Sequence, residues 1–170
     1  YDAVSKIANR EGLWVLGDAA QAYGARYHNR RVGTLAMATA TSFFPAKPLG
    51  AYGDGGAIFT DDSELADTLR SILFHGKGAN PYDNVRVGMT GRIDTMPAAV
   101  LLEKLAIFDD EIEARNRIAA RYTSLLAGHV ATPKVPDGLK SVWAQYTIKL
   151  PEGSDRAAIQ AKMKQEGVPT

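Results

Sequence analysis

Cysteine is absent from the 170 residues, which removes disulfides, thiolate metal ligands and a cysteine nucleophile together. Histidine is scarce. His28, His75 and His129 lie far apart without the paired spacing of a helical metal site, so no metal is expected and each reads as a surface or packing residue. Neither charge is in excess: 20 basic and 19 acidic side chains give a net charge of +1, and no basic block follows from them that could track a phosphate backbone. Nucleic acid is not expected as a partner. Apolar runs of membrane-spanning length and the layout of a signal peptide are also missing, so the expectation is a soluble, cytoplasmic protein with no membrane partner. Internal repeats and low-complexity tracts are absent as well. The chain opens on Tyr1 and closes at "EGVPT", with no polar tail at either end, and is expected to be a fragment of something longer.

What is present is a globular composition, 45% hydrophobic, arranged in an alternating α/β order. Val4, Ile7 and Ala8 at helical spacing, with Gly12 behind them, predict a short helix over 2–11. "LWVL" (13–16) reads as a parallel strand covered on both faces, with Trp14 in the core. "TATSFF" (39–44) and "GAIFT" (56–60) predict two more strands around a glycine-rich loop. Asp61 reads as the N-cap of a helix whose buried stripe is Leu65, Leu69 and Leu73, ending near His75 and Gly76. Residues 76–92 form the longest loop, and Leu101 to Leu126 keep helical spacing over one long helix, with Pro97 in its first turn. On its solvated face Glu111 and Glu113 are placed to pair with Arg115 and Arg117. "QYTIKL" (145–150) alternates as a half-buried strand, and Ser154 reads as the cap of a last helix reaching about Glu166. Trp143 is expected to be core.

Three side chains stand out chemically. Asp18 follows the first strand in "GDAAQAYG", at the carboxyl end where open α/β sheets bind ligands, and a cationic ring nitrogen would satisfy it. Capping a helix from Ala19 is its alternative use. Ser42 puts a hydroxyl into an apolar strand, where it needs a partner. Lys47 sits between "FFP" and a glycine-rich turn, partly desolvated and suited to a Schiff base with an aldehyde; snorkelling to solvent is its bland alternative. The glycines of "GAYGDGG" allow close backbone approach, so their N–H groups and Ser42 together could hold a phosphate. Aldehyde-seeking amine, phosphate cradle and carboxylate for a ring nitrogen describe a pyridoxal 5′-phosphate pocket.

"GDAAQAYGA", "TSFFPAKPLGAYGDGGAIFTDD", "LFHGKGANPYDNVRVGMTGRIDTMPAAVLLEKL" and "AQYTIKL" together resemble the DegT/DnrJ-type (StrS-like) sugar aminotransferases, fold-type I pyridoxal phosphate enzymes. The resemblance implies the later part of a large, aspartate aminotransferase-like domain over 1–96, a long connecting helix over 97–128 and the start of a small α/β domain over 129–170. It implies that Lys47 carries the cofactor covalently and shuttles the proton, that Asp18 pairs with the pyridine nitrogen, that Gln21 contacts the ring near its phenolic oxygen, and that Ser42 binds the phosphate. Thr90 and Arg92 occupy the "N-x-R" element that reaches into a neighbouring subunit's site, which implies a homodimer with shared active sites. The implied reaction moves nitrogen from L-glutamate to a nucleotide-linked ketosugar, with a UDP-3-keto-N-acetylhexosamine uronic acid for surface polysaccharide as the subgroup resembled. Alternatives are a truncated, non-catalytic cofactor-binding module and a related sugar dehydratase, which has His where Lys47 stands. The chain departs from the family pattern at Gly17 (usually an acid), Thr90 (usually Asn) and Pro97 (usually Gln).

Overall fold

The computed structural model describes residues 1–80, 82–168 and 170. In chain order the elements are α1 (Asp2–Arg10), β1 (Leu16–Asp18), β2 (Arg26–Tyr27), β3 (Arg30–Arg31), β4 (Ala38–Ser42) and β5 (Gly56–Phe59). There follow α2 (Ser63–Leu73), α3 (Thr95–Ala106), α4 (Phe108–Leu126), β6 (Leu139–Lys140) and α5 (Arg156–Gln165). They form two units, one of Tyr1–Asn116 with Val135–Ala144, the other of Arg117–Lys134 with Gln145–Thr170.

The first unit is mixed α/β. Its main sheet runs β1-β4-β5, parallel between β1 and β4 and antiparallel between β4 and β5. Opposed residues of a ladder point to the same face, as do residues two apart along a strand. The registers therefore sort the side chains: Gly17, Thr39, Thr41, Ala57 and Phe59 share one face, and Leu16, Asp18, Ala38, Ala40, Ser42, Gly56 and Ile58 share the other. Burial distinguishes the two except at Ala38, which is 7% exposed although it lies opposite Leu16 on the second face. Thr39 and Thr41 are 0% and 7% exposed on the covered face, whereas Leu16 and Ile58 are 56% and 52% exposed on the open one.

Beside the covered face, Tyr23 stacks on Phe59 and on Phe108 at centroid distances of 5.8 and 5.7 Å. Phe108, Ile112, Leu101 and Val142 form the core with Leu49 and Ala51 of the loop between β4 and β5. A second small sheet, β3-β2-β6, had no counterpart in the sequence reading, because each strand is two residues long and carries no alternation to detect.

Several expectations need correction. The first strand is Leu16–Asp18 rather than 13–16, because a strand exists where a neighbour pairs, and β4 begins opposite Leu16. Leu13 and Trp14 are exposed, so Trp14 is not core, and neither Val4 nor Ile7 is buried by α1. The single long helix is two, divided at Ile107. The cap of α2 is Asp62, whose carboxylate accepts from Leu65 N at 3.0 Å, and none of its helix's residues is fully buried. The cap of α5 is Asp155, accepting from Ala158 N at 3.0 Å, while Ser154 donates to Pro151 O. Glu113 pairs with Lys140, and Arg115 donates to Trp143 O at 3.4 Å, because the 140–143 segment crosses that face of α4.

In the second unit "QYTIKL" forms no ladder beyond one bridge between Lys149 and Ala131, although Tyr146, Ile148 and Leu150 are half-buried and the residues between them exposed. The alternation is present, but among the described residues only Ala131 pairs with it. Trp143, half-buried in the first unit, donates its indole N–H to Asn116 at 3.1 Å. The 76–92 loop, whose Pro81 lies outside the described residues, is bridged at Lys77 with Asn84 and at Phe74 with Thr90.

Candidate functional site

Strand register brings the first two candidates together. Asp18 lies opposite Ala40, and Ser42 is two residues further along the same face, so carboxylate and hydroxyl sit on the open face at the carboxyl ends of adjacent parallel strands, roughly 7 Å apart along the strand direction. That edge is where open α/β sheets place ligands. No helix begins at Ala19. Asp18 accepts instead from Ala20 N at 2.9 Å in a turn closed by Ala22 and Tyr23 N–H bonds to Ala19 O, which occupies one of its two carboxylate oxygens. Gln21 is exposed in the same turn. Ser42 Oγ accepts from Phe44 N at 3.2 Å, which meets the strand hydroxyl's need for a partner and leaves its proton for an acceptor.

Lys47 stands on the turn that leaves β4, with its N–H bonded to Phe44 O at 2.8 Å. It is half-buried, while Pro48, Leu49, Gly50 and Ala51 beyond it are buried. Leu49 and Ala51 are in the core cluster, so the lysine's backbone is pinned on its downstream side by packing. The glycine-rich loop is laced to the strand end by Ala51 N to Phe43 O and Phe43 N to Gly55 O, both 2.7 Å. Ala51's N–H is thus not available to a phosphate. At Gly50 a β-carbon would collide with the Pro45 carbonyl, and Lys104 Nζ of α3 reaches the Gly50 carbonyl at 2.5 Å. Neither Lys104 nor Thr41 was singled out by the sequence reading; the alternating hydroxyls of "TATS" were the available sign for Thr41.

Thr90 and Arg92 form a second group. Thr90 Oγ1 lies 3.3 Å from His75 Nδ1, and the Arg92 guanidinium stands 5.4 Å from the centre of the Phe74 ring, both side chains being exposed. A cavity of about 520 Å³ opens between α2 and the following loop, lined by Asp67, Arg70, Lys77 and Arg86 among others. It holds none of the sequence-predicted residues. Arg70 is paired with Asp67 at 2.9 Å and Arg86 reaches Thr68 O at 3.5 Å, so both of its arginines are engaged by its own wall. Among the described residues no group of histidine or carboxylate side chains could hold a metal ion, and no helix is long and apolar enough to cross a membrane.

The fold is that of an α/β protein whose Asp18 and Ser42 side chains share one sheet face at the strand carboxyl ends, with Lys47 on the turn that follows. The chain belongs to the DegT/DnrJ/EryC1/StrS aminotransferase family, whose model matches residues 1–170. It is 47% identical over 171 residues to the UDP-2-acetamido-2-deoxy-3-oxo-D-glucuronate aminotransferase of Pseudomonas aeruginosa, covering 100% of this chain and 46% of that protein. A solved DegT DnrJ EryC1 StrS aminotransferase from Brucella abortus superposes with a TM-score of 0.95 at 55% identity, over 99% of this chain and 44% of that one. S. venezuelae DesV, solved in complex with a ketimine intermediate, superposes at 0.91 with 38% identity, over 98% of this chain and 44% of that one. The chain spans about half the length of the relatives it matches and corresponds to a partial domain of them.

Proposed function

We propose that this chain is the cofactor-holding part of a cytoplasmic pyridoxal 5′-phosphate-dependent aminotransferase. It moves an amino group from L-glutamate to a nucleotide-linked ketosugar, a UDP-3-keto-N-acetylhexosamine uronic acid destined for surface polysaccharide. One observation carries the reading: Asp18 and Ser42 share the open sheet face, and Lys47 stands on the turn that leaves the same strand end. The donor set fits the group, since amine, carboxylate and hydroxyl match its aldehyde, ring nitrogen and phosphate in kind, one to each.

When bound, the cofactor supplies an electron sink that lets an amino acid release its α-proton. Lys47 Nζ holds the cofactor and moves that proton. The Asp18 carboxylate orients the ring and favours the protonated form of its nitrogen. Ser42 would hold the phosphate by a hydrogen bond from its hydroxyl, and Gln21 would border the ring. Thr90 and Arg92, on their exposed loop, serve the site of a second copy in a homodimer, where the Arg92 fork meets a sugar carboxylate or phosphate. The 3-oxo-glucuronate named for the P. aeruginosa relative supports the sugar class. Residues 1–96 belong to the large domain in this reading, 97–128 connect, and 129–170 begin the small domain. Lys47 disfavours the dehydratase alternative.

The test is a spectrum of the complete protein incubated with pyridoxal 5′-phosphate. A visible band should form, bleach on addition of L-glutamate, and be lost in Lys47→Ala. A band that no amino donor bleaches would replace the enzyme with a cofactor-binding module, and no band at all would remove the cofactor.

A further inference from the structure

The open face presents Asp18, but the covered face sets where it points. Thr41 is 7% exposed on the covered side, and its hydroxyl donates to Ala19 O at 3.0 Å. Ala19 C=O and Ala20 N–H belong to one planar peptide group, which moves as a rigid body. That same Ala20 N–H donates to Asp18 Oδ1 at 2.9 Å. The bonds therefore form a single line from Thr41 Oγ1, through one peptide plane, to the carboxylate. A hydrogen bond accepted at a carbonyl polarises its amide and strengthens what the N–H donates.

Ala19 O also accepts from Ala22 N at 2.9 Å and Tyr23 N at 3.0 Å, but both come from the turn itself and travel with it. Two bonds instead tie the turn to β4: Ala19 N to Ala40 O at 2.7 Å, and the Thr41 hydroxyl. β4 is the strand that carries Ser42 and leads to Lys47.

We propose that Thr41 is a positioning residue: through the Ala19–Ala20 peptide it fixes the Asp18 carboxylate relative to Ser42 and Lys47, and so governs how firmly a bound pyridinium nitrogen keeps its proton. This rests on the cofactor reading above. Ring protonation withdraws electrons and makes the lysine-bound nitrogen less basic, so a loosened Asp18 raises the pH midpoint at which the visible band titrates.

The experiment compares the complete protein with Thr41→Val, which keeps shape without the hydroxyl, Thr41→Ser, which keeps the hydroxyl without the methyl, and Asp18→Asn alone and with Thr41→Val. Cofactor dissociation constant, pH midpoint of the band and thermal midpoint without cofactor are read for each. Thr41→Val should raise the pH midpoint and weaken cofactor binding about threefold or more. Thr41→Ser should keep the wild-type pH midpoint even where it lowers the thermal one, and Thr41→Val should add nothing further in the Asp18→Asn background. A wild-type pH midpoint in Thr41→Val overturns the proposal. So does a shift in Thr41→Ser, which tests it even where the valine variant fails to fold, because packing rather than the hydroxyl would then be responsible. A wild-type protein that forms no band brings down the cofactor reading and this inference with it, whereas a wild-type band with unmoved variants defeats the inference alone.

Discussion

Gly17, beside Asp18, is a position where a single hydrogen in place of a side chain matters. A β-carbon there would lie 2.8 Å from Thr39 Oγ1 and 3.2 Å from its Cγ2, on the fully covered face where neither strand can withdraw. Gly17→Ala should cost about 1–3 kcal/mol in chemical denaturation, and Thr39→Ala in the same chain should recover most of it. Thr39 Oγ1 is itself buried without a hydrogen-bond partner among the described residues. An unsatisfied buried hydroxyl costs about 1–3 kcal/mol, so Thr39→Val alone should be neutral or stabilising. The sequence marked Gly17 as a departure from the family pattern, but the contact that a side chain there would meet lies across the ladder, in a register no linear reading supplies. Asp18, Ser42 and Lys47 were legible for the opposite reason: each is a polar group set among apolar or glycine-rich neighbours, and that contrast is local.

Elements were read well wherever the pattern was both periodic and locally terminated. α1 ends at Arg10 with Glu11 as its C-cap, ahead of Gly12, whose φ of +65° few other residues adopt, one residue short of the end expected from the sequence. Helix starts were missed by one residue because "TDDS" offers two adjacent aspartates, and only the geometry of Asp62 decides between them. Asp62→Ala should therefore destabilise α2 by about 0.5–2 kcal/mol, while Asp61→Ala leaves the thermal midpoint nearly unchanged. α1 is tied to β2 by Tyr27, whose hydroxyl donates to Asp2 at 3.0 Å. That bond, then burial, then the Asp2 charge raise the Tyr27 pKa above its ordinary value. A folded-state value above the unfolded one means the tie is fully present below pH about 10 and lost as pH rises through the folded value. Far-ultraviolet circular dichroism should show an alkaline loosening of α1 in that window, and Tyr27→Phe should remove the pH dependence. The break at Ile107 escaped the sequence reading because Leu101, Leu105, Phe108 and Ile112 keep helical spacing across it.

At the scale of the molecule, the dominant fact is an open sheet face in a chain that spans about half the length of its relatives. The expected two-sided burial of the first strand, read from a continuous apolar run, does not hold, because β1 is covered on one face only. Among the described residues Leu13, Trp14 and Leu16 are 63%, 66% and 56% exposed. The same open face carries Asp18 and Ser42, and the account as a whole requires Lys47 to be the amine that works beside them. Borohydride reduction of the complete protein loaded with pyridoxal 5′-phosphate, followed by peptide mass mapping, tests this most directly. The account predicts one stoichiometric cofactor adduct, on the peptide containing Lys47; an adduct confined to another lysine such as Lys77 or Lys104, or none, would contradict it.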